Sequence, residues 1–346
     1  MDLSGITRAG VVLPVKVDPA GIDGPKAREA AGRLWRSPYR GWHLPATVDS
    51  TRPEQRIVEA AAVLPEGGAV TGWAGLHWAG GHYFPGTTRG GAEQLPVALA
   101  VDNLRRLRRQ PGLEICEEYL EPSDVTLVDG LAVTRHERSV CRLVRAARRL
   151  EDRVRILDMA AFDDLCSLAE VEAYARGQLT GRPYVSRIWE ALPFADENSW
   201  SPMESVMRIR WLQSRRVRLL VNAPIFDQAG RHLITPDLLD PIARVAGEYN
   251  GAPHLGLGPQ ERDLDREEVY RSLGIEVVTM MSTDLAGDER FIGRLASAYR
   301  RAAGPRRTVA WTLDPPDWWV DTSTVARRRE LGGLEREIWL KRQSAA

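Results

Sequence analysis

The run His232-Leu-Ile-Thr-Pro-Asp-Leu-Leu239 precedes the run Ala243-Arg-Val-Ala-Gly-Glu-Tyr249, and these two short apolar segments predict two adjacent buried strands. Each run carries one carboxylate near its end, Asp237 in the first and Glu248 in the second. Neighbouring strands can bring such side chains to one point. Hard divalent cations such as Mg²⁺ require an oxygen site of this kind. The sequence therefore predicts that Asp237 and Glu248 bind Mg²⁺ or Mn²⁺, an arrangement typical of phosphodiester hydrolysis.

Further short motifs lie before and after this pair, between about residues 199 and 303. The block resembles the very-short-patch-repair-endonuclease-like domains common in actinobacteria, a branch of the restriction-endonuclease-like superfamily. Those domains read Ser-Pro-x-Glu-Ser, an Asp on a strand, Glu-x-Asp-Gly-x-x-His, an Asp-x-x-Arg on a helix and a Gly-led strand. The matching segments here are Ser201-Pro-Met-Glu-Ser205, Asp237, Glu248-Tyr-Asn-Gly-Ala-Pro-His254, Asp263-Leu-Asp-Arg266 and Gly274-Ile-Glu-Val-Val-Thr-Met280.

The resemblance implies an αβββαβ fold and metal-dependent cleavage of DNA. It implies that Asp237 and Glu248 hold the metal, that Glu204 assists through water, and that His254 is a general base or phosphate contact. Asn250 departs from the pattern, since the family has Asp at this position and the superfamily has Lys. An amide carries no charge and takes no proton. Either His254 and Glu204 supply the missing function, or the chemistry of this chain is weakened.

Several of these residues also have ordinary structural interpretations. Ser201 and Pro202 are typical of a helix start, where Glu204 would act as a capping-box carboxylate. Asp263 and Arg266 fall on one face of a helix, so we favour a surface ion pair between them. The alternative places Arg266 at the rim of the site, where it would contact DNA.

The charge balance limits where nucleic acid could bind. The chain has 47 basic and 47 acidic residues, so its formal net charge is zero. Any surface that binds DNA must therefore be a local patch. The densest basic cluster is Arg105-Arg106-Leu107-Arg108-Arg109, and we predict that Arg105, Arg106, Arg108 and Arg109 contact phosphates. Solvated surface is the alternative interpretation of this cluster.

Cysteine usage and hydropathy indicate a cytoplasmic protein. The three cysteines, Cys116, Cys141 and Cys166, are far apart and form no Cys-x-x-Cys, which argues against disulfides and a zinc module. The first residues show no signal-peptide pattern, and no stretch approaches 18 apolar residues. We therefore expect no membrane association.

The N-terminal half indicates a separate module. Helical patterns at 53–64 and 73–79 flank a Gly-rich turn, which predicts a helix-turn-helix or winged-helix unit. Short strands are predicted at 96–101 and 113–116, followed by a hairpin whose Asp129-Gly130 favours a type I′ turn. The half resembles, more loosely, the N-terminal region of type IV abortive-infection antitoxins. That resemblance depends on Ala69-Val-Thr-Gly-Trp-Ala-Gly-Leu76 and Val128-Asp-Gly-Leu-Ala-Val-Thr134.

These patterns predict an α+β protein in three parts. A winged-helix-like, antitoxin-like module covers 1–195, a restriction-endonuclease-like αβββαβ domain covers 196–304, and a Trp- and Arg-rich tail covers 305–346. The tail contains an amphipathic helical pattern at 325–343, which either packs back on the domain or contacts a protein partner or a second copy.

Three functions are compatible with these patterns. The leading expectation is a Mg²⁺- or Mn²⁺-dependent DNA endonuclease serving phage defence or DNA repair. The first alternative is a non-catalytic, antitoxin-like DNA-binding regulator with a degenerate nuclease domain. The second alternative is an interaction scaffold of a defence system.

Overall fold

The structure, a computed structural model, describes residues 3–88, 90–103, 106–251, 266–304 and 310–341. The chain forms two compact units that interleave along the sequence: Met1–Ala146 with Ala169–Val185, and Ala147–Leu168 with Ser186–Ala346. The division at 195 and 304 follows motifs rather than packing, and it stays a prediction.

The chain contains runs of strands and runs of helices, so the fold is mixed α+β. The helices are α1 (Ala27–Ala30), α2 (Pro53–Ala61), α3 (Gly72–Trp78), α4 (His136–Ala146), α5 (Leu150–Phe162), α6 (Leu168–Gln178), α7 (Ser186–Ala191), α8 (Pro202–Ser214), α9 (266–272 in its described part), α10 (Glu289–Ala302), α11 (Val325–Glu330) and α12 (Gly333–Leu340). The strands are β1 (Trp35–Arg36), β2 (Leu44–Pro45), β3 (Ala69–Val70), β4 (Val97–Ala100), β5 (Leu113–Cys116), β6 (Val125–Val128), β7 (Leu131–Thr134), β8 (Leu220–Val221), β9 (Ile225–Phe226), β10 (His232–Ile234), β11 (Leu238–Asp240), β12 (Val245–Asn250) and β13 (Glu276–Met281). Within the described ranges, no helix has both the length and the apolar character that crossing a membrane requires.

A five-stranded sheet organises the first unit, in the order β5-β4-β3-β7-β6. The predicted hairpin is confirmed, because β6 and β7 pair antiparallel from Val125↔Thr134 to Val128↔Leu131. Asp129 has φ 46° and Gly130 has φ 77°. Positive φ at both central residues is what a type I′ turn requires.

Helix α3 lies inside the first unit. Six of its seven residues are buried, and His77 is the exception. Trp73 Nε1 donates to the Pro96 carbonyl at 2.7 Å, and Trp78 Nε1 donates to the Val128 carbonyl at 2.8 Å. A DNA-reading helix must present an exposed polar edge. The prediction that the second helix of this pair reads DNA is therefore wrong, because its apolar residues are used for packing on every side.

The second unit contains a four-stranded mixed sheet in the order β13-β12-β11-β8. Strand β11 runs antiparallel to both β8 and β12, and β13 runs parallel to β12. Alternate residues of β12 enter two different cores. Val245 packs with Met207 and Trp211 of α8, whereas Ala246 packs with Tyr270 of α9.

The first of the two predicted strands is divided. Residues His232–Ile234 pair with β9 in a separate two-stranded sheet, and Leu238–Asp240 join the main sheet as β11. Pro236 lies between the two strands, where its missing N–H costs no ladder hydrogen bond. The second predicted strand is observed as β12.

The C-terminal tail packs on the second unit. Its predicted helix is observed as α11 and α12, which a break at 331–332 separates. Arg328 is 1% exposed and donates to Asp164 Oδ1 at 2.7 Å. It also donates to the carbonyls of Ala161 and Glu197, at 2.6 and 3.1 Å. Trp319 stacks on the His232 ring, with centroids 5.2 Å apart. The packing alternative for the tail is thus the one observed.

Candidate carboxylate site

Asp237 and Glu248 face each other across two neighbouring strands. The register pairs Leu238 with Gly247, so Asp237, one residue before β11, continues that register opposite Glu248. Directly opposed residues of an antiparallel pair point to the same face of the sheet. The two strands therefore place both carboxylates on one face, as the sequence predicted.

Asp237 is held from two sides. Its Oδ2 accepts a hydrogen bond from the Tyr249 backbone N–H at 2.7 Å, and its carbonyl accepts one from the Asn222 backbone N–H at 3.0 Å. Burial raises the pKa of the Asp237 carboxyl well above its ordinary value, and the negative charges of Glu248 and Glu204 raise it further. Glu248 and Glu204 are therefore each close enough to Asp237 to repel its negative charge.

Glu204 enters the site from the first turn of α8. Ser201 caps this helix, because its Oγ accepts from the Glu204 N–H at 3.2 Å, and Pro202 begins the helix as predicted. Glu204 Oε2 accepts from the Trp200 N–H at 2.9 Å, which is a capping interaction. The same oxygen accepts from Asn222 Nδ2 at 2.7 Å. The position of Glu204 is therefore compatible with a helix-capping role and with a role in the carboxylate site.

Glu204 is only 3% exposed, and this burial raises the pKa of its carboxyl to about 7. A buried carboxylate without a full charge partner prefers the protonated form. A divalent cation at the site would reverse that preference, because its charge stabilises the deprotonated form.

Glu248 already has a cationic partner from the chain itself. Its Oε1 accepts from Arg266 Nη2 at 2.6 Å and from the Tyr270 hydroxyl. Arg266 also donates to the Thr235 carbonyl at 3.2 Å. This arrangement places Arg266 at the rim of the site, the alternative to the surface ion pair with Asp263. Asp263 itself lies outside the described residues.

The other predicted site residues divide between those the structure describes and those it does not. Asn250 is the exposed last residue of β12 and is opposite Met281 in the register with β13. Arg106, Arg108 and Arg109 are exposed. Such exposure suits both phosphate contacts and solvated surface. His254 and Arg105 lie outside the described residues.

A metal would need more than the acidic groups described so far. Across the described part of the chain, no group of three or more His, Cys, Asp or Glu side chains is placed to hold an ion. An amide oxygen can also bind Mg²⁺. The side-chain amide of Asn222 adjoins this site, because its Nδ2 donates to Glu204.

The sequence analysis missed Asn222, which touches both Glu204 and the backbone of Asp237. Asn222 follows the apolar run Leu219-Leu-Val221 and precedes Ala223-Pro224, so it reads as an ordinary turn residue. Tyr270 was missed as well. Its signal is its position four residues after Arg266 on one helix face.

Comparison with known proteins adds no further assignment. The chain matches no protein-family model, no curated protein and no solved structure.

Proposed function

We propose that this chain is a metal-dependent DNA endonuclease of the restriction-endonuclease-like type, with Asp237 and Glu248 as the acidic pair of its active site. The observation that carries the proposal is the register that sets these two carboxylates opposite each other. The raised pKa of Asp237 supports it, because Glu248 and Glu204 contribute to that shift. Crowded acidic groups of this kind are common where a cation or a reacting group binds.

The order of elements in the second unit supports the same proposal. Helix α8 is followed by β8, β11 and β12, then by α9 and β13, with the β9–β10 hairpin inserted after β8. When the β9–β10 hairpin is set aside, this succession is compatible with the αβββαβ order that the sequence resemblance implies. Asp237 and Glu248 lie on the second and third strands of that succession.

In this proposal Asp237 and Glu248 hold Mg²⁺ or Mn²⁺, and Glu204 contributes through a water. A cation held by these residues would supply charge neutralisation at the scissile phosphate and the leaving oxygen. The residues of the chain prepare the site for it. The Tyr249 N–H fixes Asp237, and Asn222 with the Trp200 N–H fixes Glu204. Arg266 pairs with Glu248 at the rim of the site, from where its guanidinium could contact a phosphate.

Nicking of supercoiled plasmid DNA tests the proposal. We expect the native chain to nick DNA with Mn²⁺, and more slowly with Mg²⁺. Glu248→Ala should abolish this activity. Glu276→Ala is the matched control, because Glu276 is an acidic residue of neighbouring β13 that pairs with Arg301 at the surface. Equal nicking by the native chain and Glu248→Ala would contradict the proposal.

One observation favours a second function, that of a non-catalytic DNA-binding regulator. Arg266 already pairs with Glu248 at 2.6 Å, so the chain itself supplies a cation where a metal would bind. Asn250 removes a further charge from the same strand end. In that case DNA binding, and not cleavage, would be the activity of the native chain.

Salt dependence of DNA binding tests this second function. Replacing Arg106, Arg108 and Arg109 together by Ser should lower affinity and reduce the slope of log K against log salt by about 3. Unchanged affinity and slope would remove these residues from the DNA-binding surface.

A further inference from the structure

Asn222 carries a buried oxygen atom that the protein leaves without a partner. The residue is 3% exposed, and its Nδ2 donates to the Asn198 carbonyl and to Glu204 Oε2, each at 2.7 Å. Its Oδ1 is fully buried and has no hydrogen bond to any residue in the described ranges. A buried polar atom without a partner is costly, so it calls for an explanation.

The orientation of this amide is fixed by its surroundings. Both neighbours of Nδ2 are oxygen atoms that only accept hydrogen bonds when Glu204 is ionised. Rotating the amide would therefore set Oδ1 against two oxygens. Because Oδ1 and Nδ2 are bonded to the same carbon atom, Oδ1 lies in the neighbourhood of the Glu204 carboxylate that Nδ2 contacts.

Asn198, a second buried asparagine of this unit, shows what a purely structural role looks like. Its Nδ2 donates to the Val221 carbonyl at 2.7 Å, and its Oδ1 accepts from Trp200 Nε1 at 3.1 Å. The two asparagines are hydrogen-bonded neighbours, but only the Oδ1 of Asn198 accepts a hydrogen bond from the described part of the protein. Of these two asparagines, only Asn222 has a buried side-chain oxygen without a partner among the described residues.

The backbone of Asn222 has a positive φ. Its value is 46°, in the left-handed region that, among residues with a side chain, Asn and Asp adopt most readily. This conformation lets the backbone N–H reach the Asp237 carbonyl while the side chain reaches Glu204. Uncommon backbone conformations persist where the surrounding structure enforces them, often at functional sites.

We infer that Asn222 Oδ1 is a neutral oxygen ligand of the divalent cation that Asp237 and Glu248 hold, on the side where Glu204 contributes through a water. Mg²⁺ and Mn²⁺ take carboxylate and amide oxygens together, and a neutral ligand adds an oxygen without adding repulsion among the acids. The inference rests on the proposed carboxylate site and adds a ligand to it. An ordered water on Oδ1 is the competing explanation.

Carbon NMR of the unmutated protein distinguishes the two explanations. The chain has four asparagines, Asn103, Asn198, Asn222 and Asn250, so selective ¹³Cγ labelling gives four assignable signals. Under Mg²⁺ concentrations that saturate binding by calorimetry, we expect the Asn222 signal to shift while those of Asn103 and Asn198 stay in place. A stationary Asn222 signal would leave water as its partner and overturn the inference. The absence of any calorimetric Mg²⁺ or Mn²⁺ binding would overturn it as well.

A variant adds a second readout that does not depend on cleavage. Asn222→Gly keeps the left-handed backbone and removes the side chain, so we expect Mn²⁺ affinity to fall by about tenfold or more. Arg244→Gly is the matched control, since Arg244 has φ 56° in the turn between β11 and β12. It should bind Mn²⁺ like the native chain. Native affinity in Asn222→Gly would contradict the inference, even if the protein cleaves DNA. Metal binding that depends on Asn222 without any cleavage would support the inference while the proposed nuclease activity fails.

Discussion

At the scale of single residues, the buried Glu204 couples the stability of the protein to pH. Its pKa is about 7 in the folded chain, against an ordinary value of 4.5. Between these two values the folded state binds the proton more tightly than the unfolded state does. The free energy of unfolding therefore falls as pH rises from 4.5 to 7, and the loss persists above pH 7.

Glu204→Gln tests this coupling in buffer that contains a chelator. The amide keeps the shape of the side chain and removes its charge, so the variant should be more stable than the native chain at pH 8, by up to about 3 kcal/mol. At pH 4.5 the two proteins should unfold at similar denaturant concentrations. Urea titrations at both pH values provide the measurement. A stability difference that is the same at both pH values would mean that the carboxyl does not titrate differently on folding.

Asn250 determines a second prediction at this scale. Without a charge at this position the cation should bind weakly, and Mn²⁺ should support more nicking than Mg²⁺. Asn250→Asp adds a carboxylate at the exposed end of β12, so Mg²⁺-dependent nicking should increase. The rate ratio of variant to native chain measures the effect. Rapid Mg²⁺-dependent nicking by the native chain, with the same rate in Asn250→Asp, would show that the amide of Asn250 does not lower the nicking activity.

How much of the site the sequence could predict depends on the type of residue. Asp237 and Glu248 were identifiable because each carboxylate interrupts an apolar strand pattern. Asn222 was not, because nothing in a sequence shows that a particular amide oxygen will be buried without a partner. Arg266 looked like half of a surface pair, and only the packing of α9 against the sheet brings it to Glu248.

At the scale of elements, local signals predicted the β6–β7 hairpin and the start of α8, because turn and cap chemistry act between near neighbours. The position of α3 could not be predicted in the same way. A short apolar helix fits both the core of a DNA-binding unit and the centre of an α+β unit. Long-range contacts, such as that of Trp78 with the Val128 carbonyl, decide between these alternatives.

The hairpin allows a matched test of its turn. Gly130 and Gly181 have nearly the same φ, 77° and 76°. A Cβ on Gly130 would lie 1.7 Å from the Gly5 carbonyl oxygen, whereas one on Gly181 would meet nothing within 4 Å. Both alanine variants bear a backbone cost of about 1 kcal/mol. Gly130→Ala should lose about 2 kcal/mol more in urea unfolding, because the backbone must move. Equal losses would contradict the close approach of residue 5 to this turn.

At the scale of the whole molecule, the arginines of α11 show how one basic run serves different purposes. Arg327 is about half exposed and pairs with Asp321, while Arg328 is buried against Asp164 and backbone carbonyls. A basic run in a sequence usually indicates solvated surface or phosphate contacts. Arg328 departs from this pattern, because its guanidinium donates to buried acceptors under the tail.

This difference predicts unequal effects of substituting the two neighbours. Arg328→Met should lower the free energy of unfolding by about 3 kcal/mol, because it leaves buried acceptors unpaired. Arg327→Met should cost less than about 1 kcal/mol, as expected for an exposed ion pair. Chemical denaturation of both variants, with limited proteolysis of the tail, provides the measurement. Similar small losses in both would mean that Arg328 does not anchor the tail.

The proposed sharing of one divalent cation by Asp237 and Glu248 can be tested directly by measuring the Mn²⁺ bound per chain at equilibrium. Native protein should bind Mn²⁺, and Asp237→Asn and Glu248→Gln should each weaken that binding by about tenfold or more. The surface control Glu276→Gln should bind like the native chain. Binding that survives both substitutions unchanged, or a native chain that binds no Mn²⁺, would contradict a metal site at these two strands.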